Sequence, residues 1–209
     1  MDLKVVPDRE CGACNVCCDL PSISSRRLRK LPGVLCEHWA LGVGCSIYHK
    51  RPKICREHLC GWRLLDGLDE SWRPDLSRIY IRFNPGPAPD YAEQMPQACL
   101  HAVFGLLGEL DDERVAELAT VCATLIGQNI PVFLMVACPP GHARRMFPLN
   151  AVLQRFLTAD KAVLAGAMKM ALCGAAQMPL VKVHINETDG TIGGSTIFSE
   201  AAPGLAASP

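Results

Sequence analysis

The sequence predicts an α+β protein: an irregular, metal-stapled, cysteine-rich N-terminal lobe packed on a small helix–strand C-terminal half. Three observations carry this. Eight of the 12 cysteines fall between Cys11 and Cys60. That stretch is rich in Cys, Arg, Lys, Pro and Gly and shows little hydrophobic periodicity, so its folding requires something besides an apolar core. Beyond it, stretches of period two alternate with stretches of helical period.

Composition sets the outer bounds. The chain has 209 residues, 49% hydrophobic and 20% charged, which is the profile of a globular protein with a sizeable core. The formal net charge is zero, which argues against a protein built wholly around nucleic acid or acidic lipid. The opening Met-Asp-Leu-Lys-Val-Val-Pro does not read as a signal peptide, and no apolar run has the length of a membrane span. The expected location is therefore cytoplasmic, where thiols stay reduced and a dense cysteine set points to metal more than to disulfides.

The elements follow in order. Residues 1–84 are expected to form the cysteine-rich domain, residues 85–198 an α+β region, and residues 199–209 a disordered tail. Arg78-Ile-Tyr-Ile-Arg-Phe83 alternates and predicts a strand. Pro85, Pro87 and Pro89 then break the chain. Asp111-Asp112-Glu113 places acids at a helix start, and Val115, Leu118, Ala119, Cys122, Leu125 and Ile126 share one face of that helix. Gly127 and Pro131 end it, and Val132–Ala137 reads as a buried strand. Asn150 is expected to cap a helix through Phe156. Asp160 to about Leu172 is apolar nearly all round, predicting a buried helix. Lys182–Glu187 alternates again, and Asp189-Gly190 signals a hairpin turn. Gly190-Thr-Ile-Gly-Gly194 lacks the lysine of a phosphate loop and is expected to be a turn.

The chemistry lies in the spacing Cys11-x2-Cys14-x2-Cys17-Cys18, followed by Cys36, Cys45, Cys55 and Cys60. A Cys-x-x-Cys knuckle turns two sulfurs toward one ion, the building unit of zinc and iron–sulfur sites. Adjacent Cys17 and Cys18 leave the backbone in different directions and do not easily share one tetrahedral ion. Either one is not a ligand, or the set holds two metals or a multinuclear centre; eight thiolates would complete two four-cysteine sites. From Cys11 to Arg63 there are nine basic residues against three acidic. Two divalent ions with eight thiolates bring this segment near neutrality, and the cations favour ionised thiols. His38, His49 and His58 lie in the same stretch, with His38 the best placed to replace a cysteine, although a histidine beside the site or in solvent is the commoner case. The later Cys99, Cys122, Cys138 and Cys173 sit apart in apolar surroundings and are expected to be structural.

Taken together, Cys11-Gly-Ala-Cys-Asn-Val-Cys-Cys18, Leu20-Pro21, Cys36-Glu-His38, Gly44-Cys45-Ser-Ile-Tyr48, Arg51-Pro52-x-x-Cys55-Arg56, Cys60-x-Trp62 and Arg73-Pro74-Asp75 resemble the cysteine-cluster family described as a zinc- or iron-chelating domain. The similarity covers about residues 11–84. It implies that Cys11, Cys14, Cys17, Cys18, Cys36, Cys45, Cys55 and Cys60 are the metal ligands, and it leaves the metal and the biological role open.

Zinc is favoured over iron or an iron–sulfur cluster. Closed thiolate zinc sites hold small loop-rich segments together, and the fourth cysteine of a bacterial ferredoxin run would fall on Pro21. The leading function is thus a metal-ion binding protein with a structural or chelating role. One alternative is an iron–sulfur protein with a redox or enzymatic role, and another is a zinc-stabilised adaptor for protein or nucleic acid. Arg26-Arg27-Leu-Arg29-Lys30 and His49-Lys50-Arg51 supply charge for the last, but aromatic interleaving is thin. Arg144-Arg145 reads as an isolated pair in a solvated loop. His-Glu-x-x-His, Gly-x-Ser-x-Gly, Walker and dinucleotide motifs are all missing, so the sequence leans away from an enzyme. A reactive thiol at Cys17 or Cys18 is a minor expectation if one of them is not a ligand. Besides the metal ion, no membrane partner is expected, and the sequence names no protein partner.

Overall fold

The computed structural model describes residues 4–58, 60–86, 100–186, 188–189 and 191–196. Pro87, Pro89, Cys99, Gly190 and the expected tail 199–209 lie outside the described residues.

As the Gly, Pro and Cys content predicts, the chain up to residue 58 forms only short elements. α1 (Val16–Asp19) is a single turn. β1 (Ile23–Ser24) pairs with β2 (Arg29–Lys30), and β3 (Trp39–Ala40) with β4 (Gly44–Cys45), as two-residue antiparallel ribbons. α2 (Lys53–Glu57) begins directly after Pro52. The buried apolar residues described here are Val16, Ile23, Leu28 and Cys36, too few to hold the segment by themselves. Part of the deficit is met by Lys30. Its buried ammonium donates to the carbonyls of Asp19 (2.7 Å), Pro21 and Leu31 (3.1 Å), so it is a strut and not part of a basic surface.

From Gly61 the chain enters a continuous core. Trp62 and Trp72 are buried in two short 3-10 turns, and Leu65 and Leu68 are buried in the stretch between them. α3 (Pro74–Ser77) starts with proline at its first position, where the missing N–H is no loss. Arg78, left-handed at φ 59°, turns the chain into β5 (Ile79–Pro85). There follow β6 (Leu100–Leu106), α4 (Asp112–Gly127), β7 (Val132–Met135), β8 (His142–Arg144), β9 (Phe147–Pro148), α5 (Asn150–Leu153), α6 (Lys161–Gln177), β10 (Leu180–Ile185) and β11 (Ile192–Thr196). Six α-helices and eleven strands among the described residues make the chain mixed α+β.

The main sheet has the order β5-β6-β7-β9. β5 and β6 pair antiparallel from Ile79 opposite Leu106 to Pro85 opposite Leu100, so the sheet runs across the expected 84/85 boundary. β6 and β7 are parallel, joined through α4, and β9 closes the far side antiparallel to β7. Ile79, Ile81, Phe104 and Leu134 share one cluster with Leu118, Cys122 and Leu125 of α4 and with Ala167, Met168 and Ala171 of α6. On the opposite face, Gly105 has Tyr80 and Leu20 against it; a β-carbon there would stand 3.0 Å from the Leu20 methyl. The sheet is thus covered by helices on one face and met by the cysteine-rich segment on the other. This explains why Ile79, Tyr80 and Ile81 are all buried despite their alternating pattern. A second sheet, β11-β10-β8, is antiparallel throughout.

The helix over 111–127 forms as expected. Asp111 caps it by accepting from the Arg114 N–H at 2.8 Å, and the six named residues are its buried set. Several expectations need correction. Asn150 does not cap a helix: it is buried within α5, accepts from the Val132 N–H (2.8 Å) and donates to the Ile130 carbonyl (3.1 Å). It thereby satisfies backbone groups at the start of β7. Replacing Asn150 by Leu leaves both groups buried without a partner and should cost about 2–4 kcal/mol, measured by urea denaturation; a loss below about 1 kcal/mol would contradict this role.

α6 runs on to Gln177 and is buried on one side only; Met170 is 62% exposed and Cys173 is also exposed. Residues 192–196 form a strand instead of a turn. Gly193 and Gly194 fit there because β-carbons would stand 2.5 Å from the His184 ring and 2.4 Å from the Val181 methyl. Arg144 lies in β8 and donates to the Met178 carbonyl. Cys138 falls three residues past the end of β7 and is half-buried. No helix among the described residues is long and apolar enough to cross a membrane.

Candidate metal centre

The first knuckle is tightened by a Cys14 N–H to Cys11 carbonyl bond of 3.0 Å, with Gly12 left-handed at φ 52° between them. α1 then carries Cys17 and Cys18 on one turn. The Cys36 N–H donates to the Cys18 carbonyl at 2.9 Å, drawing the 31–38 loop against α1. Cys45 is set opposite Trp39 by the β3–β4 ribbon. Cys55 lies mid-way along α2, whose entry Pro52 fixes. Cys60 forms an antiparallel bridge to Arg82 of β5, and the adjacent Gly61 allows the close approach. A β-carbon at Gly61 would stand 2.4 Å from the Ile81 methyl.

All eight residues border one of two cavities. The larger, about 160 Å³, is lined by Cys18, Cys36, Cys45 and Cys55 and also by Cys11, Cys14 and Cys17. The smaller, about 20 Å³, is lined by Cys11, Cys14, Cys17 and Cys60 with Trp62, Pro74 and Tyr80. The electrostatics divide the thiols in the same way. Burial raises Cys55, and Cys36, Cys18 and Cys45 raise it further. Burial likewise raises Cys36, followed by Cys18 and Cys45. In the other group, burial pushes Cys14 up to about 11, with Cys60 adding to the rise, and burial also raises Cys60, with Cys11 contributing. The groups meet at Cys17 and Cys18. The Cys17 thiol donates to Cys18, which raises Cys17 and lowers Cys18 to about 7. Lys30 and Arg51 also favour the Cys18 thiolate.

Among the described residues, no three His, Cys, Asp or Glu side chains stand close enough to grip one ion as placed. The donor set nevertheless fits thiolate–metal chemistry in one further respect. The Trp39 and Arg82 side chains line the larger cavity, and their Nε–H groups are buried without a hydrogen-bond partner. Orphaned N–H donors beside sulfur are suited to stabilising thiolates.

The histidines divide. His38 lines the larger cavity and stands 3.8 Å from the Glu37 carboxylate. His49 is exposed, edge-on to Tyr48. His58 is packed against Tyr80, its Nε2 2.6 Å from the phenol oxygen, and burial lowers it to about 4. Arg51 donates Nε–H to the Tyr48 carbonyl and lies 3.6 Å over the Tyr48 ring, so it supports the loop before Cys55.

Tyr80, Arg82, Trp39 and Arg9 were not singled out from sequence. Tyr80 and Arg82 carried a usable signal: two residues apart on a strand, they share the face that meets the cysteines. Arg9 carried none. Its guanidinium donates to the carbonyls of Trp62, Leu65, Asp66 and Leu68, a contact across more than fifty residues.

No family model matches the chain, and no curated protein or solved structure matches it. The resemblance of residues 11–84 therefore rests on the quoted motifs themselves.

Proposed function

We propose that this chain is a metal-ion binding protein of the cysteine-cluster kind, holding two zinc ions through two four-cysteine sites. Cys11, Cys14, Cys17 and Cys60 would form the first site, and Cys18, Cys36, Cys45 and Cys55 the second. The observation that carries the proposal is that Cys11, Cys14, Cys17 and Cys60 share the smaller cavity, whereas Cys18, Cys36, Cys45 and Cys55 border the larger one alone.

Zinc would supply a cross-link between distant loops and neutralise the thiolate charge. The protein's own groups do the rest. Lys30 and Arg51 lower the cost of ionising Cys18, and the Trp39 and Arg82 N–H groups are free to donate to sulfur. The segment to residue 58 has few buried apolar residues and gains most from such a cross-link. The smaller cavity, at about 20 Å³ against about 160 Å³ for the larger, suits a single ion better than a cluster. A reduced compartment such as the cytoplasm suits these thiols.

Elemental analysis and an absorption spectrum of protein purified without oxygen test the proposal. The expected result is close to two zinc per chain with no visible absorbance. Iron with acid-labile sulfide and broad visible absorbance would replace zinc by an iron–sulfur centre and move the function toward redox chemistry. A chain free of both metals would end the proposal.

A further inference from the structure

We propose that the two four-cysteine sites are unequal: the Cys11/Cys14/Cys17/Cys60 site is a structural staple anchored to the main core through Cys60, and the Cys18/Cys36/Cys45/Cys55 site is a loosely supported one whose ion exchanges with external thiolates and chelators. The proposal rests on the two-site function above and assigns the chelating role to one site of the pair.

Space is the first argument. A tetrahedral thiolate site releases zinc readily when an incoming ligand enters the coordination sphere before an old one has left. The smaller cavity holds about 20 Å³, room for about one water. Its walls include Trp62 and Tyr80, which are 2% and 4% exposed. Cys60 borders this cavity alone, whereas Cys11, Cys14 and Cys17 also border the larger one. The larger cavity holds about 160 Å³, room for several waters or the head of a small chelator. Tyr48 and Ile54 line it and are each 44% exposed, so it reaches the surface.

Support is the second argument. Cys60 is bridged to β5 and packs against the main core. Moving it means disturbing Trp62 and the Gly61–Ile81 contact. Cys45 and Cys55 belong to a two-residue ribbon and a five-residue helix. The apolar cluster beneath them contains only Ile23, Leu28 and Cys36 as buried members. Opening the outer site therefore leaves the sheet in place, whereas opening the inner one does not.

The exchange needs no oxidant. Each Zn–S bond broken is replaced by a bond from the incoming ligand, and each released thiolate takes a proton from water. The acceptors that fit are soft, thiol-bearing ligands, drawn in by Arg51 on the cavity wall.

The test uses the full chain loaded with zinc without oxygen and challenged with excess 4-(2-pyridylazo)resorcinol, whose colour reports released zinc. Two equivalents should leave in two phases, the first roughly tenfold faster or more. Cys55→Ser should remove the fast phase and keep the slow one; Cys60→Ser should remove the slow one. Wild-type protein, stripped of one equivalent and treated with iodoacetamide, provides a reading that needs no variant. Peptide mass mapping should find Cys18, Cys36, Cys45 and Cys55 alkylated, with Cys11, Cys14, Cys17 and Cys60 protected. Two equivalents leaving in one phase, or alkylation spread over both groups, would overturn the inequality while leaving the two-site function standing. A chain that binds no zinc would overturn both.

Discussion

Cys60→Ser is expected to bind one zinc instead of two and to lose on the order of 4 kcal/mol of stability, as removal of a structural metal does. For a chain of this length that corresponds to a fall in Tm of roughly 10 °C. The effect is large because Cys60 lies where two parts of the protein join. It is the residue that bridges to Arg82, it precedes the close Gly61–Ile81 contact, and it leads into the buried Trp62. Serine is nearly the size of cysteine, so packing alone predicts little change. On the proposed ligand set the lost metal would supply the difference, and the check follows from that. Thermal denaturation of wild type and variant should differ strongly with zinc bound and by less than about 1 kcal/mol after both have been stripped with chelator. Equal Tm values in the zinc-loaded proteins would remove Cys60 from the ligand set.

Trp62→Ala should be as damaging for a different reason. Trp62 is 2% exposed within the main cluster, its indole N–H donates to the Asp69 carbonyl at 2.9 Å, and the Arg9 guanidinium lies 5.4 Å from its ring. Truncation opens a large cavity between the 60–72 turns and the sheet and should cost about 3–5 kcal/mol. All eight cysteines remain, so zinc content should stay at two per chain. The loss of stability should persist after the metal is stripped, unlike that of Cys60→Ser. Trp62 also walls the smaller cavity, so the slower zinc should leave faster from this variant. A Tm within about 3 °C of wild type would mean that the indole contributes little to the join.

Local sequence was a good guide where one face of an element meets one environment. α4 shows this: Val115, Leu118, Ala119, Cys122, Leu125 and Ile126 are its buried set, and Asp111 caps it. The same logic failed for α6. Alanine and glycine are apolar by composition yet small enough to sit in water at little cost, so a helix that looked apolar all round is half exposed. Asn150 misled because asparagine satisfies backbone groups equally well at a helix start and deep in a core. Which one occurs depends on Val132 and Ile130, far along the chain. Lys30 stood in a basic run and turned inward because the carbonyls of Asp19, Pro21 and Leu31 converge on its ammonium.

By itself the sequence determined the α+β character, the positions of β5, β7, α4 and α6, and the eight cysteines of the candidate centre. Periodicity and residue spacing are local properties, read without knowing what lies opposite. Only the tertiary structure decided the grouping of those cysteines. Cys60 lies nearer to Cys55 along the chain than to Cys17, yet it borders the smaller cavity with Cys11, Cys14 and Cys17. Its bridge to Arg82 holds it against the sheet, while α2 keeps Cys55 on the larger cavity with Cys18, Cys36 and Cys45. Backbone pairing with a strand twenty residues downstream sets that division, and no spacing within the cysteine motif encodes it.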